Sequence, residues 1–205
     1  MKRAVSVDEL FKKKFIELDL QGQWRTLLGS PERSGVWLIW GDSFNGKTSF
    51  CLQLAKELCR FGRVNYNSME EGARKSMQKA ARRTQMQHVK GRFQITSESL
   101  EEMKKRLRLR RSAEINFIDS IQYADLNKRS YKALKAEFPN KLFIFVSHAE
   151  GRLPLGRFAN FVRYDADVKI CIEGFKAFCL SRLADVKSEP YIIWEKGARE
   201  YWIEG

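Results

Sequence analysis

Apolar and polar positions along the chain follow two alternating patterns, and together they predict the fold class. Residues 36–40 form an uninterrupted apolar run, which is typical of a strand buried on both faces of a parallel sheet. Further short runs that predict strands lie at residues 63–68, 93–96, 115–119 and 142–147. Amphipathic stretches with helical spacing separate these runs. The sequence therefore predicts a three-layer α/β domain of the mostly parallel kind.

The helix after the first apolar run is marked by spacing and by a glycine. Phe50, Leu54, Leu58 and Phe61 keep a helical period, and Gly62 is expected to act as the C-cap.

Near the N-terminus, Ser6 and Glu9 have the spacing of a capping box and predict a short basic helix. Glycine and proline punctuate the chain between this helix and the first apolar run. We therefore divide the chain into an N-terminal helical arm at residues 1–29 and one domain at residues 30–205.

The pattern changes beyond about residue 167. Apolar runs at residues 168–172, 175–183 and 191–194 are joined by short turns, which favours antiparallel hairpins. These hairpins are expected to extend the parallel sheet. The aromatic end of the chain, from residue 191 onward, is read as hairpin core or subunit interface.

The loop GDSFNGKT, at residues 41–48, separates the first apolar run from the first amphipathic one and matches the pattern GxxxxGK[ST]. Backbone N–H groups of such a loop and of the following helix N-terminus favour phosphate. Lys47 would reach the β and γ phosphates of ATP, and the Thr48 hydroxyl would ligate Mg²⁺. A tight turn with an exposed lysine is the alternative. The candidate nucleotide-binding residues of this segment are Gly41, Asp42, Ser43, Phe44, Asn45, Gly46, Lys47, Thr48 and Ser49.

Carboxylates stand at the ends of two of the predicted strands. Asp119 ends the run INFID, where it could hold Mg²⁺ directly or through water. Glu70 and Glu71 follow the second strand, where one of them could orient the attacking water. A role at the N-terminus of the following helix is the alternative for Glu70 and the better interpretation for Glu71.

Taken together, the loop, the strand NYNSMEEG and the strand FIDSIQ resemble the RecA-like ATPases, in particular the RadA/Sms, KaiC and DnaB branch. The resemblance covers roughly residues 30–200. It implies that Glu70 is the general base or water-orienting residue. The segment FVSHAEG is similar to the VGHVTKEG pattern of RadA-like proteins, which implies that Ser147 and His148 contact the γ-phosphate or relay its presence; capping of the strand is the alternative for His148.

Residues 149–165 are predicted to form a long mobile loop in which basic and aromatic residues alternate. Its position corresponds to the DNA-binding loop of RecA-like recombinases. Arginines can bind phosphates while rings stack on bases, so single-stranded DNA is the favoured ligand. The alternative places the aromatic residues in the core and the arginines on the surface or at a subunit contact. The candidate DNA-binding residues are Arg152, Arg157 and Arg163.

The resemblance also implies a homo-oligomer in which each site receives a cation from the next subunit. The KNRFG motif that supplies this cation in the family is missing here, and LSRLADVKSEP lies in its place. Arg182 and Lys187 are the candidates within that segment, with Lys196 and Arg199 as further possibilities. Phe44 is a second departure, since many relatives have glycine at that position.

Composition bounds the partners and the compartment. The 38 Lys and Arg residues against 25 Asp and Glu residues give a net charge of +13, which favours a polyanionic partner. No apolar run approaches the ~20 residues of a membrane span, and the N-terminus lacks the features of a secretory signal. We therefore expect a cytoplasmic protein. The cysteines form no CxxC pair and are expected in the core.

The sequence thus predicts a RecA-like ATPase that binds ATP and Mg²⁺, hydrolyses ATP slowly when alone, and acts on or with DNA in recombination, replication or maintenance of a mobile element. A KaiC-like assembly switch that does not bind DNA is one alternative. A small-molecule kinase, with residues 96–112 as its lid, is another, although a kinase would have less use for a water-orienting glutamate.

Overall fold

The structure is a computed structural model that describes residues 3–181 and 189–203. Its strands are β1 Gly35–Gly41, β2 Val64–Ser68, β3 Phe93–Thr96, β4 Ile115–Asp119, β5 Leu142–Glu150, β6 Leu153–Pro154, β7 Val168–Glu173, β8 Lys176–Ser181 and β9 Tyr191–Ile192. Its helices are α1 Val7–Lys12, α2 Gly22–Leu28, α3 Lys47–Leu58, α4 Lys75–Arg83, α5 Leu100–Leu107, α6 Lys128–Glu137, α7 Arg157–Asp165 and α8 Glu195–Ile203.

The strands form one sheet in the order β3-β2-β4-β5-β1-β7-β8-β9, with β6 paired to β5. All neighbours from β3 to β7 run parallel, and the β7–β8 and β8–β9 pairs are antiparallel. The predicted α/β class and the antiparallel C-terminal extension are confirmed. Because β1 is central, the loop that follows it opens in the middle of the carboxyl edge of the sheet.

Helices cover both faces of the sheet, and β1 shows how one strand serves both. Trp37 and Ile39 face the cluster that holds α2, α3 and α4. Val36, Leu38 and Trp40 face the cluster that holds α5, α6 and α7. Side chains of a strand alternate between faces, so an uninterrupted apolar run is what a strand in the middle layer requires.

The N-terminal segment has an exposed part and a buried part. Helix α1 begins at the predicted capping box of Ser6 and Glu9 and has no buried residue. Leu18 and Leu20 are fully buried in the cluster on the α3 face, together with residues of α2. Packing on the domain therefore starts before residue 29.

The predicted C-cap of α3 is wrong. The helix ends at Leu58, and Gly62 does not close it. Arg60 and Phe61 donate to the carbonyls of Glu57 and Leu58, so the chain leaves the helix through a tighter turn of i to i−3 bonds. Phe61 still packs on the α3 face, which explains its helical spacing.

The predicted mobile loop at residues 149–165 is also wrong. β5 continues to Glu150, β6 pairs with it, and α7 occupies Arg157–Asp165. Phe158 and Phe161 pack against the α6 face of the core, with their ring centroids 6.0 and 5.8 Å from that of Tyr131. Aromatic residues spaced for a helix face were thus the signal for core packing.

At the C-terminal end, the predicted strand at residues 191–194 is shorter, and α8 follows it. The Trp202 indole donates to the carbonyl of Gly174 at 3.0 Å, which holds the end of α8 on the turn between β7 and β8.

Within residues 3–181 and 189–203, every helix is too short or too polar to cross a bilayer.

Candidate functional site

The glycine loop, residues 41–48, connects β1 to α3, and its glycines are required by its geometry. A Cβ atom on Gly41 would lie 2.4 Å from the carbonyl oxygen of Ile172 in the neighbouring β7. Gly46 is the N-cap of α3 with φ +92°, a conformation that costs glycine little. The loop can therefore pass close to β7 and turn sharply into the helix.

Two cationic side chains, Lys47 and Arg83, contact the glycine loop and the first turn of α3. Lys47 Nζ donates to the carbonyl oxygen of Gly41 at 2.9 Å, so the ammonium folds back over the loop. Thr48 and Ser49 occupy the first turn of α3, where backbone N–H groups lack partners within the helix. Arg83 of α4 donates to the Ser49 hydroxyl at 2.8 Å. The arrangement favours an anion at the N-terminus of α3.

The turn between β7 and β8 supports the outer side of the glycine loop. The Asn45 side-chain oxygen accepts a hydrogen bond from the Gly174 backbone at 2.8 Å. The Phe175 ring approaches to 3.0 Å of the position that a Cβ on Gly46 would take. Asp42, Ser43 and Phe44 are exposed, and the Phe44 side chain is 98% exposed at φ +63°. Sequence reasoning missed Gly174 and Phe175, because nothing local links them to the loop.

Asp119 lies at the carboxyl end of β4, opposite Ser68 at the end of β2. Its Oδ2 accepts a hydrogen bond from Tyr66 Oη at 2.6 Å. Burial raises the pKa of the Asp119 carboxyl, while the Tyr66 hydrogen bond and the Lys47 ammonium act against that rise. Glu70 and His148 also act on the Asp119 carboxyl through their charges. The carboxylate thus stands among the other candidate site residues.

Glu70 and His148 meet across the carboxyl edge of the sheet. His148 Nε2 lies 3.1 Å from Glu70 Oε2, a contact that becomes charge-assisted when the imidazole is protonated. The backbone N–H groups of Met69 and Glu70 both donate to the Asp119 carbonyl, at 2.6 and 3.4 Å. The turn after β2 is therefore tied to β4, which places the Glu70 carboxylate beside Asp119.

Ser147, predicted to contact or sense the γ-phosphate, is fully buried. Gln122, which follows β4, donates to the Ser147 hydroxyl at 2.8 Å and to the Leu155 carbonyl at 3.1 Å. Its side-chain oxygen accepts from the His148 backbone N–H at 3.4 Å. Gln122 thus joins the end of β5 to the segment that precedes α7. Sequence reasoning missed it, although it is part of the FIDSIQ segment.

The candidate DNA-binding arginines occupy different environments. Arg152 and Arg157 are exposed. Arg157 lines a cavity of about 500 Å³ together with Lys128, Phe161 and Tyr164. Arg163 is half-buried, with its guanidinium 5.8 Å from the centroid of the Trp40 ring. The structure therefore separates Arg163 from the two arginines that face solvent.

Of the four residues predicted to supply a cation to the site of a neighbouring subunit, two lie within the described residues. Arg182 and Lys187 lie outside the described residues. Lys196 and Arg199 are exposed on α8, where Lys196 Nζ lies 3.8 Å from a Glu200 carboxylate oxygen.

Comparisons with known proteins identify the fold. No family model and no curated protein matches the chain in sequence. A KaiC-like protein from the hyperthermophilic archaeon Pyrococcus horikoshii matches in structure with a TM-score of 0.61 and 18% identity, over 87% of this chain and 93% of that one. The flagellar accessory protein FlaH from Methanocaldococcus jannaschii matches with a TM-score of 0.58 and 16% identity, over 87% of this chain and 97% of that one. The chain shares the fold of these two proteins, which is the RecA-like fold that the sequence predicts.

Proposed function

We propose that this protein binds ATP with Mg²⁺ at the glycine loop and hydrolyses the γ-phosphate. The observation that carries the proposal is the meeting of Lys47, Asp119, Glu70 and His148 at one edge of the sheet. His148 lies in β5 and Asp119 ends β4, while Lys47 and Glu70 lie in the segments that follow β1 and β2. A phosphate cradle, a metal-binding carboxylate and a water-orienting carboxylate are what phosphoryl transfer to water requires.

The binding role falls to the glycine loop and the start of α3. Lys47 already points inward, and it would exchange the Gly41 carbonyl for phosphate oxygens. The Thr48 hydroxyl and the Asp119 carboxylate are of the oxygen type that Mg²⁺ prefers, so the residues present fit this ion. When bound, Mg²⁺ neutralises charge on the β and γ phosphates. The N–H groups of the loop and the α3 dipole complete the anion site.

The catalytic role falls to Glu70. Its carboxylate can accept a proton from water or orient water for attack, and the contact with His148 Nε2 holds it at the edge of the sheet. His148 lies at a strand end that borders the site, where it can respond to a γ-phosphate.

Hydrolysis fits the geometry better than transfer to a small molecule. The small-molecule kinase hypothesis requires residues 96–112 to form a lid that closes over the nucleotide. In the structure this segment contains α5, whose Met103 and Leu107 are buried in the core cluster of the opposite face from α3. A segment anchored in this way is poorly suited to open and close.

The test is a Glu70→Gln variant, because amide replaces carboxylate at nearly constant size. We expect ATP binding by calorimetry in Mg²⁺ to persist, while turnover falls by about 10²-fold to 10⁴-fold, the usual contribution of a general base. Glu71→Gln, one residue away, is the matched control and should keep its turnover. Equal turnover in Glu70→Gln and wild type would remove Glu70 from the catalytic role, and no heat from ATP with the wild type would remove the function itself.

We propose DNA, with single-stranded DNA favoured, as the partner of this ATPase. The net charge of +13, the exposed Arg152, and the exposed Arg157 in the lining of the 500 Å³ cavity support this partner. The KaiC-like alternative, an ATP-dependent assembly switch without DNA, has equal support from the fold. Binding of labelled oligonucleotides separates the two.

The resemblance to RecA-like ATPases also supports a homo-oligomer and a cytoplasmic location, which we include in the proposal. In such an assembly, Arg182 or Lys187 would enter the site of a neighbouring copy. Mass measurement in solution with and without a non-hydrolysable ATP analogue tests the assembly, since a site completed between copies should favour the oligomer when nucleotide is bound.

A further inference from the structure

Tyr66 is a buried tyrosine whose hydroxyl contacts the carboxylate of Asp119, the candidate metal ligand. It lies on β2 and is fully buried. Its ring stacks on that of Phe117 in β4, with centroids 5.2 Å apart and an angle of 20° between the planes. Phe93 of β3 packs on its other side at 6.3 Å. Because both neighbouring strands hold the ring, the position of the hydroxyl is fixed by the sheet.

The hydroxyl uses this fixed position to hold one oxygen of Asp119. Tyr66 Oη donates to Oδ2 at 2.6 Å, a short bond of the charge-assisted kind. An aspartate carboxylate otherwise takes a broad range of angles about its last side-chain bond. With Oδ2 held by Tyr66, rotation of the carboxylate is restricted, so the direction of Oδ1 is restricted as well.

We propose that Tyr66 is a positioning residue that orients the Asp119 carboxylate for Mg²⁺. The proposal rests on the proposed ATPase function and adds to it a residue outside the glycine loop and the acidic strand ends. Partners that orient metal ligands in this way commonly change metal affinity by about 10-fold to 100-fold when they are lost. Tyr66 thus sets the metal dependence of nucleotide binding without itself contacting nucleotide or metal.

A purely structural role is the competing explanation, since buried tyrosine hydroxyls usually find a partner. The chain offers a matched case for comparison. Tyr131 is also buried, and its hydroxyl donates to Oδ2 of Asp165. That pair joins α6 to α7 on the face of the sheet opposite to α3. Tyr66→Phe and Tyr131→Phe therefore remove the same group from similar contacts, and only one of them lies at the site.

The experiment measures the affinity of a non-hydrolysable ATP analogue by calorimetry, once in Mg²⁺ and once in EDTA. For Tyr66→Phe we expect the affinity in Mg²⁺ to fall by about 10-fold or more, and the affinity in EDTA to stay within about 2-fold. For Tyr131→Phe we expect the ratio of the two affinities to equal that of the wild type. Thermal unfolding of both variants reports any loss of stability separately from the affinity ratio.

Binding of Mn²⁺ to the nucleotide complex, followed by electron paramagnetic resonance, gives a second readout. Tyr66→Phe should weaken Mn²⁺ binding in the native protein but should have no further effect in the Asp119→Asn background, because the oriented group is gone. Equal metal dependence in Tyr66→Phe and the wild type would overturn the inference and leave the ATPase proposal intact. Failure of the wild type to bind the analogue would overturn both. Failure of Tyr66→Phe to fold while Tyr131→Phe folds would assign Tyr66 a structural role and overturn the inference as well.

Discussion

In the glycine loop, the choice of residue is restricted at single positions, and at one of them the cause is a close contact with β7, the neighbour of β1 in the sheet. Gly41 is the clearest case, because Ile172 of β7 stands where its side chain would be. Gly46 meets a different demand, a left-handed backbone at the start of α3. The motif therefore combines two separate reasons for glycine, and one of them depends on a strand far away in sequence.

Gly41→Ala is expected to lower both stability and nucleotide affinity. The added Cβ would lie 2.4 Å from a backbone oxygen, so β1 and β7 must move apart at the loop. Overpacking of this kind costs about 1–3 kcal/mol in the free energy of unfolding. Denaturant unfolding and calorimetry with ATP and Mg²⁺ measure the two effects.

Gly91→Ala is the control for that substitution. Gly91 has φ +84°, and among the described residues no atom lies within 4 Å of its Cβ position, so alanine there carries backbone strain alone, about 1–2 kcal/mol. It should lower stability while nucleotide affinity stays unchanged. Unchanged affinity in Gly41→Ala would show that the approach of β7 does not shape the site.

Contacts between residues from different strand ends bring the candidate catalytic side chains together at the carboxyl edge of the sheet. The contact between Glu70 and His148 joins the turn after β2 to the end of β5. β4, which carries Asp119, lies between those strands in the sheet order. The carboxyl ends of parallel strands meet at one edge, so side chains from separate segments can form one site.

At the scale of elements, α7 is the main revision to the picture from sequence. Its Ala159 and Val162 are buried, and its aromatic residues pack toward α6. The exposed Arg157 is the first residue of α7, and the exposed Arg152 precedes β6. A helix that begins with a basic residue is a different surface from a mobile loop, because its groups keep fixed spacing.

Val162→Ala tests whether α7 is part of the core. Val162 is fully buried, and loss of its two methyl groups should lower the free energy of unfolding by about 2–3 kcal/mol, including the cavity term. Tyr164→Ala is the control on the same helix, since that side chain is 73% exposed and its loss should change stability by less than about 0.5 kcal/mol. Denaturant unfolding measures both. Equal and small effects would favour a loop that packs on nothing.

At the scale of the whole molecule, positive charge is the dominant feature. The net charge of +13 is spread over many elements, so it raises affinity for any polyanion before it selects one. Local geometry must supply the selection. The cavity lined by Arg157 and Lys128 combines these cations with the rings of Phe161 and Tyr164 and with the carboxylate of Glu150.

Single-stranded DNA is expected to bind with an affinity that falls steeply as salt rises. Replacement of both Arg152 and Arg157 by serine should reduce the slope of log affinity against log salt by about 1.4, from ~0.7 for each lost phosphate contact. Fluorescence titration over a range of salt, with and without a non-hydrolysable ATP analogue, measures the slope.

The control removes the same charge elsewhere. Lys79 and Arg82 are exposed on α4, and their joint replacement by serine should leave the slope close to that of the wild type. An equal reduction in both double variants would mean that charge acts without a defined site. Absence of binding at low salt would exclude the DNA partner and favour the assembly switch.

The sequence by itself determined the α/β class, the glycine loop and the acidic strand ends, because periodicity and short motifs are properties of neighbouring residues. Only the tertiary structure decided which distant residues meet. Tyr66 and Asp119 are 53 residues apart, and Asn45 and Gly174 are 129 apart. It also decided that residues 157–165 form a helix, because the apolar face of α7 is stabilised by α6 and the sheet. Such contacts depend on strand order and packing, which local patterns constrain but do not specify.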